Sequence, residues 1–102
     1  MKAEKFLKKV KEDILSIDKN ARVILFGSRA RGEARRESDW DILILTSFPV
    51  TEKNKKIFRY KLMDTEIETE QTISTLVYKK DHWKDYEITP LYRNIEMEGI
   101  EL

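Results

Sequence analysis

Residues 27–45, GSRARGEARRESDWDILIL, constrain this chain more than any other stretch. Val23-Ile24-Leu25-Phe26 lies just before it and reads as a buried strand. Gly27-Ser28 then marks a sharp turn. Ser28 is suited to cap a helix, and SRARGEA can form a short one behind it. The polar run EARRES, residues 33–38, reads as a loop. Asp39-Trp40-Asp41 opens a second apolar run, Ile42-Leu43-Ile44-Leu45. Residues two apart on a strand share a face. Asp39 and Asp41 are therefore expected to project side by side from the start of the second strand, with Trp40 facing away.

Stability alone does not favour two carboxylates held this way. Like charges a few ångströms apart repel, and one of them tends to keep its proton. A divalent cation reverses the sign of the interaction, and Mg²⁺ takes carboxylate oxygens together with phosphate oxygens and water. The Gly27-Ser28 turn supplies the complementary half. Glycine lets backbone approach a ligand closely, and a helix start offers free N–H groups to a phosphate. A Walker-type phosphate loop would need a downstream Gly-Lys-Ser/Thr, which is absent here. A phosphate cradle and a metal clamp on one stretch are the minimum equipment for nucleotidyl transfer.

Gly27-Ser28 followed by Asp39-x-Asp41, joined by Arg29, Arg31 and Gly32 and flanked by two strands, resembles the signature of the DNA polymerase β-like nucleotidyltransferase superfamily. The short form GSRARGEA…SDWDILI looks most like the minimal nucleotidyltransferases. Pro90-Leu91-Tyr92, Ile95 and Glu98-Gly99-Ile100 resemble the end of such proteins, extending the likeness over most of the chain. The resemblance implies the palm-like catalytic core without accessory domains. It implies that Gly27, Ser28 and the neighbouring N–H groups hold the β- and γ-phosphates of ATP or another nucleoside triphosphate. It implies that Asp39 and Asp41 bind Mg²⁺ around the α-phosphate of an in-line displacement. Minimal nucleotidyltransferases are often paired with a HEPN-type partner as the antitoxin of a toxin–antitoxin pair, and members of the group transfer AMP to a tyrosine of that partner.

The sequence departs from the family at the third carboxylate, which usually lies on the next core strand. That strand here is TISTLVY, with no acid inside it, and Ser74 aligns where an Asp is expected. Glu70 shares parity with Thr72 and Ser74 and is the candidate to complete the catalytic set from the strand's start. Arg29 and Arg31, in the helix after the turn, have two readings: solvated cations, or groups that neutralise phosphate or an acidic partner.

A chain of 102 residues fits one domain with a small core. Twenty basic residues against nineteen acidic leave a net charge of +1, which argues against strong nonspecific binding to nucleic acid or an anionic membrane. Cysteine is absent and His82 is the sole histidine, so thiolate sites and multi-histidine metal sites are excluded within one chain. No stretch approaches the roughly 20 apolar residues of a membrane span. MKAEKFLKKVKEDIL lacks the apolar run of a secretory signal, so a cytoplasmic location is expected.

Phe6, Leu7, Val10, Ile14 and Leu15 recur at helical spacing, so residues 3–17 read as an amphipathic helix that packs on the core. Its acids dilute the basic face that membrane binding would use. Strands are expected at 21–26, 39–46 and 72–78. A helix is expected from about Glu52 to Asp64, followed by TEIETEQ, which alternates as a strand does. Residues 81–86 read as a short helical turn carrying His82, Trp83 and Tyr86. Thr89 then caps a last helix over 90–98, with Pro90 at its first position and Gly99 stopping it. The order implies an α/β (α+β) fold, a small mixed sheet with helices packed on it. Two functional classes compete: a Mg²⁺-dependent nucleotidyltransferase, or a binding module of the same fold that neutralises a partner by contact. A drug-modifying nucleotidyltransferase would usually need an added domain. A bare edge strand would permit a homo- or hetero-oligomer.

Overall fold

The computed structural model describes residues 3–102. Its centre is the antiparallel pair that the Gly27–Leu45 stretch dictates. Strand β1 (Arg22–Phe26) pairs with β2 (Trp40–Thr46), in register from Arg22 opposite Leu45 to Phe26 opposite Asp41. Helix α2 (Ser28–Arg31) sits in the connection. Strand β3 (Ile73–Lys79) lies parallel to β2, from Trp40 beside Ile73 to Thr46 beside Lys79. Parallel neighbours need a long crossover, and the 18-residue helix α3 (Glu52–Thr69) provides it. A two-residue strand β4 (Ile100–Glu101), not foreseen in the sequence, adds to the other edge of β1. The sheet is mixed, in the order β3-β2-β1-β4.

Two apolar layers cover the sheet. On one face, Val23, Leu25, Trp40, Ile42, Ile44 and Ile73 meet Phe6, Val10 and Ile14 of helix α1 (Ala3–Ile17) and Phe58 and Leu62 of α3. On the other, Ile24, Leu43 and Leu45 meet Trp83 of a 3-10 helix (Lys80–Tyr86) and Ile95 of helix α4 (Pro90–Glu98). Apolar on both faces, β2 is buried from Ile42 to Thr46. Parity divides it, and Asp41 falls on the side of Leu43 and Leu45.

Polar pins fix the frame. Asp18, just past α1, accepts from Thr46 Oγ1 at 2.7 Å, Ser47 N at 2.7 Å, Ser47 Oγ at 2.8 Å and Asn20 N at 3.0 Å. Asp13 of α1 is buried, accepts from Thr65 Oγ1 of α3 and pairs with Lys9 at 3.1 Å. Thr51 and Thr89 cap α3 and α4 by accepting from Asn54 N and Tyr92 N.

Three expectations are corrected. TEIETEQ is not a strand: α3 continues through Thr69, because Phe58, Leu62 and Thr65 return to the core at helical spacing while Ile67 stays 74% exposed. Glu70 ends that helix with a left-handed φ of 56°. Ser28 does not cap α2; Gly27 holds the N-cap position and Ser28 is the first helical residue. No helix among the described residues is long and apolar enough to cross a membrane.

Candidate active site

The site is built where β1 ends and β2 begins. Gly27 leaves β1 with φ 74° and ψ −158°, a conformation that a residue with a Cβ rarely adopts. A Cβ there would also overlap Asp41 Oδ2 and lie 3.1 Å from Asp41 Cγ. The Asp41 carboxylate therefore rests on the bare backbone of the Gly27-Ser28 turn. Gly27 O accepts from Ala30 N and Arg31 N, both at 3.1 Å, and so starts the helix. The first N–H groups of a helix have no partner within it, and here they follow directly on the glycine against which Asp41 packs. Gly32 ends the helix in the left-handed region, its N–H bonded to Ser28 O.

Asp39 is exposed just ahead of β2, and Asp41 is half-buried on it. Burial pushes the Asp41 carboxyl above its ordinary pKa, the Asp39 charge pushes it further, and Arg31 opposes both. Two neighbouring carboxylates in a partly buried place shift one another in this way, and Arg31 offsets only part of the effect. The donor set, carboxylate oxygens beside a backbone cradle, fits a hard divalent cation that takes the rest of its shell from phosphate and water.

The two arginines part company. Arg31 pairs with Glu33, reaches Glu98 of α4 at 3.4 Å, and stands close enough to Asp41 to lower its pKa. Arg29 lies over the Trp40 ring, with 4.3 Å from Cζ to the centroid. It donates through Nη2 to Ser38 O at 2.8 Å and Arg36 O at 3.2 Å, and through Nε to Ser38 O. Its guanidinium thus braces the loop that delivers Asp39. Trp40 itself is core, 4.8 Å from the Phe6 ring and donating to Gln71 Oε1 at 2.8 Å.

Register places Ser74 beside Asp41 on the parallel neighbour β3, so the two side chains share a face. Glu70 does not share it by strand parity, because it belongs to the end of α3. It lines a shallow depression with Arg36, Glu37 and Ser38. Among the described residues, no group of three or more His, Cys, Asp or Glu side chains is gathered to hold a metal ion. Sequence reading missed the role of Arg29, whose partners are backbone carbonyls. It also missed the Gly27–Asp41 contact, for which the pairing of Phe26 with Asp41 is the only signal.

Residues 5–102 match the model of the nucleotidyltransferase domain. The chain belongs to this family. It is a nucleotidyltransferase, and the resemblance read from residues 27–45 extends over nearly the whole chain. A relative from Methanocaldococcus jannaschii, named "Putative protein adenylyltransferase MJ0141", is 41% identical over 87 residues, covering 78% of this chain and 83% of the relative. A solved structure titled "Crystal structure of the toxin-antitoxin with AMP-PNP" shares the fold, with a TM-score of 0.65 over 98% of this chain and 72% of that one at 18% identity.

Proposed function

We propose that this nucleotidyltransferase is Mg²⁺-dependent and transfers AMP from ATP to a hydroxyl of a partner protein, a tyrosine of a HEPN-type toxin, and so acts as its antitoxin in the cytoplasm. The observation that carries the reading is the Asp41 carboxylate seated on Gly27, near enough to Asp39 for that charge to raise its pKa. The relative's name supports an adenylyl group and a protein acceptor. The neighbour's title supports a toxin–antitoxin setting and an ATP-like nucleotide.

In the reaction the acceptor oxygen attacks the α-phosphorus. A new O–P bond forms, the bond to the β-phosphate oxygen breaks, pyrophosphate leaves, and the proton of the acceptor hydroxyl passes to solvent. Asp39 and Asp41 would hold Mg²⁺, which would supply charge neutralisation of the triphosphate. The Gly27-Ser28 turn presents N–H groups to the β- and γ-phosphates. Arg31 adds positive charge beside Asp41, and Ser74 stands where a third acid would serve as base. The partner contributes the acceptor side of the site in this reading.

The test is titration of ATP and Mg²⁺ into the protein and its Asp39→Asn/Asp41→Asn variant, followed by mass spectrometry of a HEPN-type partner after incubation. Nucleotide binding lost in the variant, with one adenylyl group on a partner tyrosine made only by the unmodified protein, is the expected outcome. Ser74 in place of an acid favours a second reading, a nucleotide-binding domain that restrains its partner by contact. Restraint of the partner by the double variant, without adenylylation by either form, would establish that reading instead.

A further inference from the structure

Among the described residues, strand β3 has a sheet neighbour on one side only. Its other edge opens on a groove of about 840 Å³, floored by residues 75–79. Lys55, Lys56 and Arg59 of α3 line one wall, His82 and Tyr86 of the 3-10 helix line the other, and Lys79 lies on the floor. Among the described residues, no acidic side chain lines the groove. Glu52, Glu66 and Asp81 reach Lys55, Arg59 and Lys79 as ion-pair partners. The Lys55 and Lys79 pairs join exposed acids at 3.4 and 3.2 Å, contacts that exchange readily for a better-placed carboxylate.

We propose that this groove binds an extended acidic segment of a partner protein, which adds to β3 as a fifth strand of the sheet. An open edge between a helix and a second wall gives an incoming peptide main-chain hydrogen bonds, while side chains on alternate faces set the specificity. The faces differ here. Thr75, Val77 and Lys79 share the side of α3, with its three cations, whereas Leu76 and Tyr78 share the side of Tyr86, whose ring is 4.8 Å from that of Tyr78. The fitting segment therefore alternates acidic and apolar residues. A second copy of this chain is a poor occupant, because pairing two β3 edges would bring two sets of Lys55, Lys56, Arg59 and Lys79 together. Cations along an edge oppose self-pairing and select for acids by the same charge. The groove lies toward the Thr46 and Lys79 ends of β2 and β3, whereas Asp39 and Asp41 stand at the opposite end of β2. Its occupancy does not depend on nucleotide binding, so failure of the Asp39/Asp41 reading would leave it standing.

The probe is a fluorescein-labelled eight-residue peptide of alternating Glu and Val, followed by anisotropy against the full chain. Saturable binding, weakened at least tenfold by Lys55→Glu/Lys56→Glu in a variant with unchanged circular dichroism, is expected. A Lys-Val peptide should not bind, and N-methylation of alternate peptide nitrogens should abolish binding. Amides 75–79 should gain protection from hydrogen exchange in the complex. The proposal is overturned if the Glu-Val peptide fails to bind the folded protein, or if its N-methylated form binds equally well. It is also overturned if sedimentation shows a dimer whose 75–79 amides are already protected, or if a single-stranded RNA occupies the groove and the peptide does not displace it.

Discussion

Asp41 can stand where it does because residue 27 has no side chain. A Cβ on Gly27 would overlap Asp41 Oδ2 and approach its Cγ to 3.1 Å, and the backbone there has φ 74°. Gly27→Ala should therefore cost about 1–3 kcal/mol in stability from the backbone alone and displace the carboxylate as well. Nucleotide binding should fall below detection in a protein that still melts cooperatively. Calorimetry of unfolding alongside ATP titration measures both. Undiminished ATP binding would mean that the turn is only a connection.

Asp41 also makes the nucleotide-free protein less stable than it could be. Its carboxyl titrates above the ordinary value, through burial first and Asp39 second. A group that holds its proton more tightly when folded costs stability as pH rises from its unfolded pKa through its folded one. In chelator at pH 7, Asp41→Asn should raise the melting temperature, and Asp39→Asn should raise it by less. Mg²⁺ with ATP should raise that of the unmodified protein and leave Asp41→Asn unmoved. A lower melting temperature for Asp41→Asn in chelator would contradict the geometry.

Arg29, which the sequence leaves open as a solvated cation or a phosphate-neutralising group, clamps the loop through the carbonyls of Arg36 and Ser38 and the Trp40 ring. A lysine keeps the charge but cannot reproduce the planar fork. Arg29→Lys should cost about 1–2 kcal/mol, in keeping with lost charge-assisted bonds. It should speed hydrogen exchange over residues 35–38 and lower kcat more than it raises KM for ATP. A rise in KM alone, with the loop unchanged, would return Arg29 to the phosphates.

What the sequence made legible was whatever local pattern dictates. The apolar runs of β1 and β2, the two-residue spacing of Asp39 and Asp41, and the threonine caps of α3 and α4 all follow from neighbours in the chain. What stayed hidden depends on distant partners. Thr65 reads equally well in a strand, and its place in α3 is fixed by burial and by Asp13, 52 residues away. That extension of α3 removed Glu70 from β3. Arg29 binds main-chain carbonyls, which carry no residue signature. β4 is only two residues long, and nothing but the return of the chain to β1 makes it a strand.

Asp18 is one carboxylate through which acid should weaken the fold. Burial works to raise its pKa, but the donors Thr46 Oγ1, Ser47 N, Ser47 Oγ and Asn20 N together outweigh burial and hold it below the ordinary carboxylate value. A carboxylate whose folded pKa is depressed contributes stability that is fully present above its unfolded value, about 3.9. That contribution is lost as pH falls through the folded pKa. Asp18→Asn keeps the shape but replaces one acceptor oxygen by an amide facing donors, at a cost of about 1–3 kcal/mol at pH 7. The difference in stability between the two proteins should shrink as the pH is lowered from 5 toward the acid transition. Urea melts at a series of pH values measure it. A gap that stayed constant across that range would show that the Asp18 pin acts through shape and not through its charge.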